Sequence, residues 1–384
     1  ACRFRYGIGF CASASAQEQG LTPLKAALRL YAGPVAGRHL AQHGLSAKDV
    51  RVIQAAAGGP KGLILGPLDR FLFGEWLPHG QQPIDLVGAS IGAWRMATAC
   101  LRNPVPAFAR LEHDYIHQDY QPEPGRSRPT AIQVSHAFAQ GLQSHYGGRL
   151  EEVLSHPRYR LHVMTTRGRG LLYRDGPWRT PVGYAGAYLT NLVHRHAMGH
   201  WLERVVFSSR DGVATAALPF DTHDYPSQQV PLTEDNFMSA VQASCSIPFV
   251  LQAVHDIAGA PRGAYWDGGI SDYHLHLDTR AVDGLVLYPH FQQHVVPGWL
   301  DKALRWRHAF TPFLDRVLVL APSAEWVASL PNGKLPDRSD FTRYAKDFST
   351  RVKVWTQATS MAQQLADEFS AWLDKPDLSR VEPL

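Results

Sequence analysis

The segment "PIDLVGASIGAWRMATACL", residues 83–101, decides the fold class. A short apolar strand ends in a glycine-flanked turn at Ser90, and a helical pattern follows the turn directly. The preceding unit has the same order, because "DVRVIQAAAGGPKG" at 49–62 runs from a β-branched strand into a glycine turn, and an apolar helical stretch, offset at Pro67, follows at 63–77. Such repetition predicts a parallel sheet covered by helices.

The remaining chain predicts further strands and a helical C-terminal region. Residues 343–373 interleave polar and apolar residues as a helix does, and residues 21–45 read as helical segments interrupted at Gly33. Polar, proline-bearing stretches at 118–130 and 218–235 are predicted loops. The further strand patterns are "YRLHVMTT" (159–166), "ERVVFSS" (203–209), "DGLVLYP" (283–289) and "RVLVLAP" (316–322).

Composition narrows the functional classes. The chain has 384 residues, of which 45% are apolar and 19% charged, and this balance is typical of a globular protein. The formal charge of +4 comes without a dense basic run, so a nucleic-acid partner is not expected. No apolar stretch approaches the roughly 18 residues that cross a bilayer. The four cysteines, Cys2, Cys11, Cys100 and Cys245, lack metal-ligand spacing and favour free thiols in a reducing compartment.

The N-terminal residues stand apart from the α/β pattern. "CRFRYGIGFCASASA", at 2–16, has two arginines, a short apolar patch and an Ala-x-Ala-like end, but the patch is shorter than the apolar region of a signal peptide. We therefore treat residues 1–20 as an N-terminal extension and residues 21–384 as a single domain with a helical C-terminal segment. A cytoplasmic or membrane-peripheral location is expected, with export left open.

Ser90 is the candidate nucleophile. A serine hydroxyl attacks an ester only when it is exposed, deprotonated by a base and supported by donors to the oxyanion. Gly88 and Gly92 lack Cβ atoms, so the chain can turn sharply and the next helix can pack close to the strand. The alternative is an ordinary turn of small residues, but the strand before and the helix after form the setting that the nucleophile turn requires.

Two other segments supply candidate partners. In "AAAGGPKGL", residues 55–63, Gly58 and Gly59 can offer backbone N–H groups to an oxyanion, and Gly62 opens the next helix. Lys61 adds a positive charge that can meet a phosphate or carboxylate of the substrate. The spacing of a P-loop is absent there.

The stretch "YWDGGISDYH", residues 265–274, offers Asp267 as a base, because an aromatic pair precedes it and limits its hydration. An Asp-Gly turn between strands is the competing interpretation. A Ser-His-Asp triad is also open, since histidines follow Ser90 in the chain order of α/β-hydrolases. The histidines downstream, none of them in a distinctive motif, are His274, His276, His290 and His294.

The segments "GGPKG", "GASIG" and "DGG", in this order, resemble the patatin-like phospholipase family. A fourth segment, "ASCSIPFV" at 243–250, is similar to the family's Ala-Ser-x-(Ala/Ser)-x-Pro element before the aspartate. The resemblance implies an α/β three-layer sandwich with a mostly parallel central sheet flanked by helices. It also implies a Ser–Asp dyad without histidine, formed by Ser90 and Asp267, with an oxyanion hole from Gly58, Gly59 and Gly62.

The resemblance further implies acyl ester hydrolysis, often of lipids, through an acyl-enzyme and without a metal or organic cofactor. The expected partners are a lipid or ester substrate and, transiently, a membrane surface. This chain departs from the family pattern, because Ala56 and Ala57 precede the glycines and Lys61 replaces the commoner arginine, which removes a bidentate phosphate fork. Two alternatives are kept: a Ser-His-Asp carboxylesterase or thioesterase, and a non-catalytic lipid-binding module on the same fold.

Overall fold

The computed structural model describes residues 26–123, 125–126 and 129–384. The strands are β1 (Leu28–Ala32), β2 (Val50–Ala55), β3 (Ile84–Ala89), β4 (Tyr159–Gly168), β5 (Leu202–Ser208), β6 (Arg210–Asp211), β7 (Ala214–Thr215), β8 (Ser227–Pro231), β9 (Val254–His255), β10 (Ala264–Asp267), β11 (Leu285–Pro289), β12 (Val317–Pro322) and β13 (Val381–Pro383). The helices are α1 (Pro34–His43), α2 (Gly66–Phe71), α3 (Ile91–Ala99), α4 (Pro104–Ile116), α5 (Ala131–Tyr146), α6 (Leu150–Leu154), α7 (Arg179–Val193), α8 (Glu234–Cys245), α9 (Ala324–Ser329), α10 (Ser339–Arg343), α11 (Phe348–Met361) and α12 (Gln363–Asp374).

The main sheet is mixed and mostly parallel, and helices flank it. Its order is β13-β1-β12-β11-β2-β3-β4-β10-β9, with β5 paired to β4 and β8 paired to β5. The five central strands, from β12 to β4, all run parallel. Antiparallel pairs occur toward the edges, where β1 meets β12 and where β4 meets β5 and β10. The α/β prediction is confirmed.

The central strands are apolar runs rather than alternating patterns. Every residue of β11 and β12 is buried, as expected of strands that are covered on both faces. Each fully buried Val or Leu in such a strand contributes about 1.5–3 kcal/mol relative to an exposed one. Burial of these strands therefore stabilises the sheet, and the sheet in turn holds the turns at its strand ends in place.

The register of β4 brings two distant parts of the chain together. Strand β3 pairs with β4 from Tyr159 to Met164, and its last residue, Ala89, lies opposite Met164. Strand β10 continues along the same edge of β4, with Asp267 opposite Thr165. Strand β5 covers the other edge. The residue after Ala89 and the last residue of β10 therefore meet at adjacent positions of one strand.

Two local predictions are wrong. Within the helical segments predicted at 21–45, Leu28–Ala32 is instead a strand, because it pairs with both β12 and β13, whereas Pro34–His43 is helical as predicted and residues 21–25 lie outside the described part. This long-range pairing overrides the helix preference of its alanines and leucines. The predicted loop at 218–235 contains β8, which gains its hydrogen bonds from β5. The stretch 63–77 is helical as predicted, with 3₁₀, α and π turns in succession.

Some predictions concern residues outside the described part. Residues 1–20, with Cys2 and Cys11, belong to this group, as do three positions of the predicted loop 118–130. Cys100 and Cys245 are buried free thiols. Among the described residues, no helix has the length and apolar character needed to cross a bilayer.

Candidate active site

Ser90 lies in a tight turn between β3 and α3. Its backbone angles are φ 57° and ψ −127°, a conformation that costs about 1–3 kcal/mol for a residue with a side chain. A Cβ on Gly92 would stand 1.9 Å from the carbonyl oxygen of Ala55, and one on Gly88 would stand 2.6 Å from the backbone of Ala93. Only glycine fits at these two positions, so the motif permits the close approach of β2, β3 and α3 that creates the turn.

The hydroxyl of Ser90 donates a hydrogen bond to Oδ2 of Asp267 at 2.7 Å. The two residues are 177 positions apart in the chain, and both are nearly buried, at 4% and 5% exposed. The backbone N–H of Ser90 donates to Oγ of Ser244 at 2.9 Å, and that hydroxyl donates to the carbonyl oxygen of Met164 at 2.7 Å. The structure thus brings together the predicted nucleophile and the predicted base.

Asp267 is held in place from both ends. Its backbone N–H donates to the carbonyl oxygen of Ser246 at 2.9 Å, and its Oδ1 accepts from the N–H of Gly269 at 2.7 Å. Burial raises the pKa of Asp267 above its ordinary value, while the positive charge of Arg338 and the hydrogen bond from Ser90 partly oppose this rise. A carboxylate with a raised pKa is a stronger proton acceptor, which suits a general base.

The segment 243–250 supports both partners. Ser244 accepts the backbone hydrogen bond of Ser90, and Ser246 accepts that of Asp267, so two residues of one helix end fix the separation of the two side chains. The sequence pattern "ASCSIPFV" showed only a resemblance and no role for these serines. The structure indicates that they position the Ser90–Asp267 pair.

The glycine loop after β2 packs against this pair. The N–H of Ala57 donates to the carbonyl oxygen of Tyr273 at 3.0 Å, and a Cβ on Gly269 would stand 2.5 Å from Cβ of Ala57. Gly58 is packed under the ring of Phe291, and Gly59 has φ +57° and begins a 3₁₀ turn. Within the described part of the chain, the amides of these two glycines donate no hydrogen bond.

Gly62 has a different environment. It lies inside the 3₁₀ turn, where a Cβ would stand 3.2 Å from the side chain of Ile91 and 3.8 Å from Arg95. Its small size lets this turn pack closely on α3. That contact places Gly62 beside Ile91, the residue that follows Ser90.

Three cationic side chains lie near the glycine loop and the Ser90–Asp267 pair. Lys61 follows the glycine loop, and its ammonium lies 5.2 Å from the ring centre of Phe291. The ammonium of Lys302 lies 3.9 Å from the ring centre of Tyr273. Partial burial and the nearby charges of Arg338 and Lys61 lower the pKa of Lys302 to about 8, and burial lowers that of Lys61.

Arg338 is the third cation, and its Nε would stand 3.4 Å from a Cβ on Gly59. Among the described residues, none of the three cations forms an ion pair, whereas Lys334 nearby is bonded to Asp337 and Asp340 at 2.9 and 2.8 Å. Sequence reasoning found Lys61 but missed the other two, because they follow the recognisable motifs by tens of residues. Unpaired positive charge at the site favours a ligand that carries negative charge.

The histidines of the alternative triad lie elsewhere. His274 and His290 are buried beside one another, and burial lowers the pKa of His274 and brings that of His290 to about 3. His276 contacts Thr311 at 2.8 Å. No histidine ring in the described part hydrogen-bonds to Ser90 or Asp267. No group of three or more described His, Cys, Asp or Glu side chains is arranged to hold a metal ion.

Comparison with known proteins identifies the family-like part of the chain. A family model described as patatin-like phospholipase matches residues 57–274. The matched range begins in the glycine loop, contains Ser90 and Asp267, and ends before Lys302 and Arg338. No curated protein matches the chain.

Proposed function

Because the chain belongs to the patatin-like phospholipase family, which comprises lipid acyl hydrolases, we propose that it is a serine acyl hydrolase that cleaves lipid or other carboxylic esters through a Ser90–Asp267 dyad. The 2.7 Å hydrogen bond from the Ser90 hydroxyl to the Asp267 carboxylate carries the proposal. That bond joins the residue in the strand-to-helix turn directly to a carboxylate, without an intervening imidazole.

The proposed reaction has two steps. Asp267 accepts the hydroxyl proton while Oγ of Ser90 attacks the ester carbonyl, and the resulting oxyanion collapses to expel the alcohol, which takes up that proton. Water then attacks the acyl-enzyme with Asp267 again as the base. The carboxylic acid leaves and the hydroxyl of Ser90 is restored.

The oxyanion requires donors that are not already engaged. The amides of Gly58 and Gly59, which donate no hydrogen bond to a described residue, are the candidates, and Gly62 supports them by holding the turn against α3. In acyl-transfer enzymes the loss of one such donor lowers turnover by about 10²–10³. A substitution at Gly59, where φ is +57°, distorts the loop and is expected to cost at least that much.

The substrate we propose carries a negative charge close to its ester. Lys61, Lys302 and Arg338 lie around the dyad without ion pairs in the described part of the chain, and together they can bind a phosphate or carboxylate. Such esters occur in lipid aggregates, so the enzyme must meet a lipid surface to reach them.

Hydrolysis of short-chain nitrophenyl esters and of a lipid panel tests this function. Ser90→Ala is expected to abolish turnover of both substrates. Ser271→Ala is the matched control, because it also removes a buried hydroxyl from the neighbourhood of Asp267 but leaves the dyad intact. Full activity in Ser90→Ala contradicts the proposal, and a wild-type protein that hydrolyses nothing favours a lipid-binding module.

A further inference from the structure

Beyond its first residue, Arg179, the exposed residues of α7 are all apolar. The exposed positions recur every three or four residues, which places them on one side of the helix. In residues 177–193, all of which the structure describes, Arg179 is the only charged residue. We define the α7 face as Trp178, Val182, Leu189, Leu192 and Val193, all of them exposed, with Val193 at 85% and Trp178 at 78%.

The inner side of α7 is mostly apolar, so the helix lacks the polar outward side of an ordinary surface helix. Its buried residues are Thr180, Gly183, Tyr184, Ala187 and Asn191, and Tyr184 and Ala187 belong to a core cluster with residues of β5 and β10. A helix that is apolar on both sides is typical of one covered by another molecule or by lipid.

Two aromatic segments extend the α7 face. Trp306 and Phe310 are exposed on the segment that follows Lys302. Arg307 ties this segment to α7, because its Nη1 donates to Oδ1 of Asn191 at 2.8 Å. The ring of Phe249, 62% exposed, lies 6.2 Å from that of Tyr184. Its φ of +68° is a costly conformation for an aromatic residue, held here with the ring largely in solvent.

The α7 face adjoins the candidate active site. On its inner side, the ring of Tyr184 lies 6.2 Å from that of Trp266, the residue before Asp267. Phe249 lies three residues after Ser246, and the carbonyl oxygen of Ser246 accepts the backbone hydrogen bond of Asp267. These contacts place α7 and Phe249 on the part of the molecule that holds Asp267.

The surroundings of the α7 face are cationic. Residues 168–200 and 299–311 contain seven Lys and Arg residues and two Asp residues, an excess of five positive charges, whereas the whole chain has an excess of four. Three of these seven cations are already in ion pairs, since Arg174 is paired with Asp256 at 2.7 Å and both Arg195 and Arg307 are paired with the buried Asp301 at 2.8 Å. The other four, which form no ion pair with a described residue, are Arg169, Arg179, Lys302 and Arg305. Apolar and aromatic side chains surrounded by Arg and Lys match the surface of a bilayer that contains anionic lipids.

We propose that the α7 face, together with Phe249, Trp306 and Phe310, docks onto an anionic lipid bilayer. The tryptophans lie at the level of the headgroups, and the surrounding Arg and Lys side chains contact lipid phosphates. This proposal names the surface where the enzyme meets its substrate, and its purpose rests on the proposed function. Docking itself requires no turnover, so the two can be tested separately.

Vesicle sedimentation tests the docking surface. The protein carries Ser90→Ala so that lipid is not consumed, and the vesicles consist of phosphatidylcholine with or without phosphatidylglycerol. Replacing Trp178, Leu189 and Val193 by serine is expected to weaken binding to the anionic vesicles at least about tenfold. The matched control replaces Ile132 and Val213, equally exposed apolar residues outside the face, and is expected to bind like the parent protein.

Further measurements separate the alternatives. With Ser90 intact, the triple variant is expected to keep the melting temperature and the hydrolysis of a water-soluble ester, which shows that the fold and the dyad are undamaged. Vesicle binding by the wild-type protein, if that protein cleaves no ester, supports docking and contradicts the proposed function. Equal vesicle binding by the triple variant and its parent overturns the docking proposal. Sedimentation velocity tests for self-association. If the parent protein self-associates, the triple variant does not, and both bind vesicles equally, the α7 face contacts a second copy and the docking proposal is overturned as well.

Discussion

Asp267 and Asp272 are five residues apart on the same turn, and both are almost completely buried. Their surroundings are opposite. Asp272 accepts two hydrogen bonds from the guanidinium of Arg204, at 2.5 and 2.9 Å, and these hold its pKa below the ordinary value. Asp267 accepts from a hydroxyl and a backbone amide, and burial raises its pKa.

The difference separates a structural carboxylate from a candidate base. Arg204 is fully buried and is also bonded to Asp224, so Asp272 belongs to a network in which each charge is paired. Asp267 forms no ion pair with a described residue, and the positive charge of Arg338 only partly offsets its burial. Such incomplete compensation is costly for the fold, but it produces the proton affinity that catalysis requires.

The largest expected effect is on activity. Asp267→Asn removes the base and is expected to lower kcat/KM on nitrophenyl esters by about 10²–10⁴. The melting temperature should stay the same or rise, because a buried charge is lost. Retention of most activity would favour the Ser-His-Asp alternative and contradict the dyad.

The next effect is on stability, and it falls on the other aspartate. Asp272→Asn leaves the buried Arg204 with one partner fewer and is expected to lower the free energy of unfolding by about 3–5 kcal/mol. Urea unfolding measures it. The fraction that remains folded should hydrolyse esters at close to the wild-type rate, and a selective loss of kcat with unchanged stability would reverse the roles given to the two residues.

The pH dependences should have opposite signs. The stabilisation by Asp272, whose pKa is lowered, is present above the ordinary value of 3.8 and is lost as the pH falls through the folded value. The contribution of Asp267, whose pKa is raised, is full below 3.8 and is lost as the pH rises through the folded value. Unfolding at a series of pH values should therefore show Asp267→Asn gaining stability over the wild type toward neutral pH. A difference that does not change with pH would contradict this assignment.

The smallest effect comes from a surrounding charge. Arg338→Gln removes a positive charge that lowers the pKa of Asp267, so the acid limb of the wild-type kcat/KM profile should move to higher pH by a few tenths. Lys334→Gln is the control, because that ammonium is already paired with Asp337 and Asp340. Equal displacement by both variants would show a general effect of net charge.

The strand-turn-helix units around Gly58 and Ser90 could be predicted because their signals are local. The meeting of Ser90 with Asp267 depends on the register along β4, where Met164 and Thr165 are neighbours, and only the family resemblance suggested it. The roles of Ser244 and Ser246 follow from the same packing.

The features that the sequence did not reveal depend on long-range contacts. Strand β1 was mistaken for helix because its pairing partners lie about 290 and 350 residues downstream. Lys302 and Arg338 belong to a part of the chain without a recognisable motif, so only its folded path shows that they lie near the site. The apolar residues of the α7 face can be read from the sequence, but only the packing of the opposite side of the helix shows that they are exposed.

The rate of labelling by a fluorophosphonate, with the adduct located by mass spectrometry, tests the central claim most directly. The account predicts a single adduct on Ser90 in the wild-type protein, formed much more slowly in Asp267→Asn and at a similar rate in folded Asp272→Asn. An adduct on another residue, or equal labelling of Ser90 with and without the Asp267 carboxylate, would contradict it.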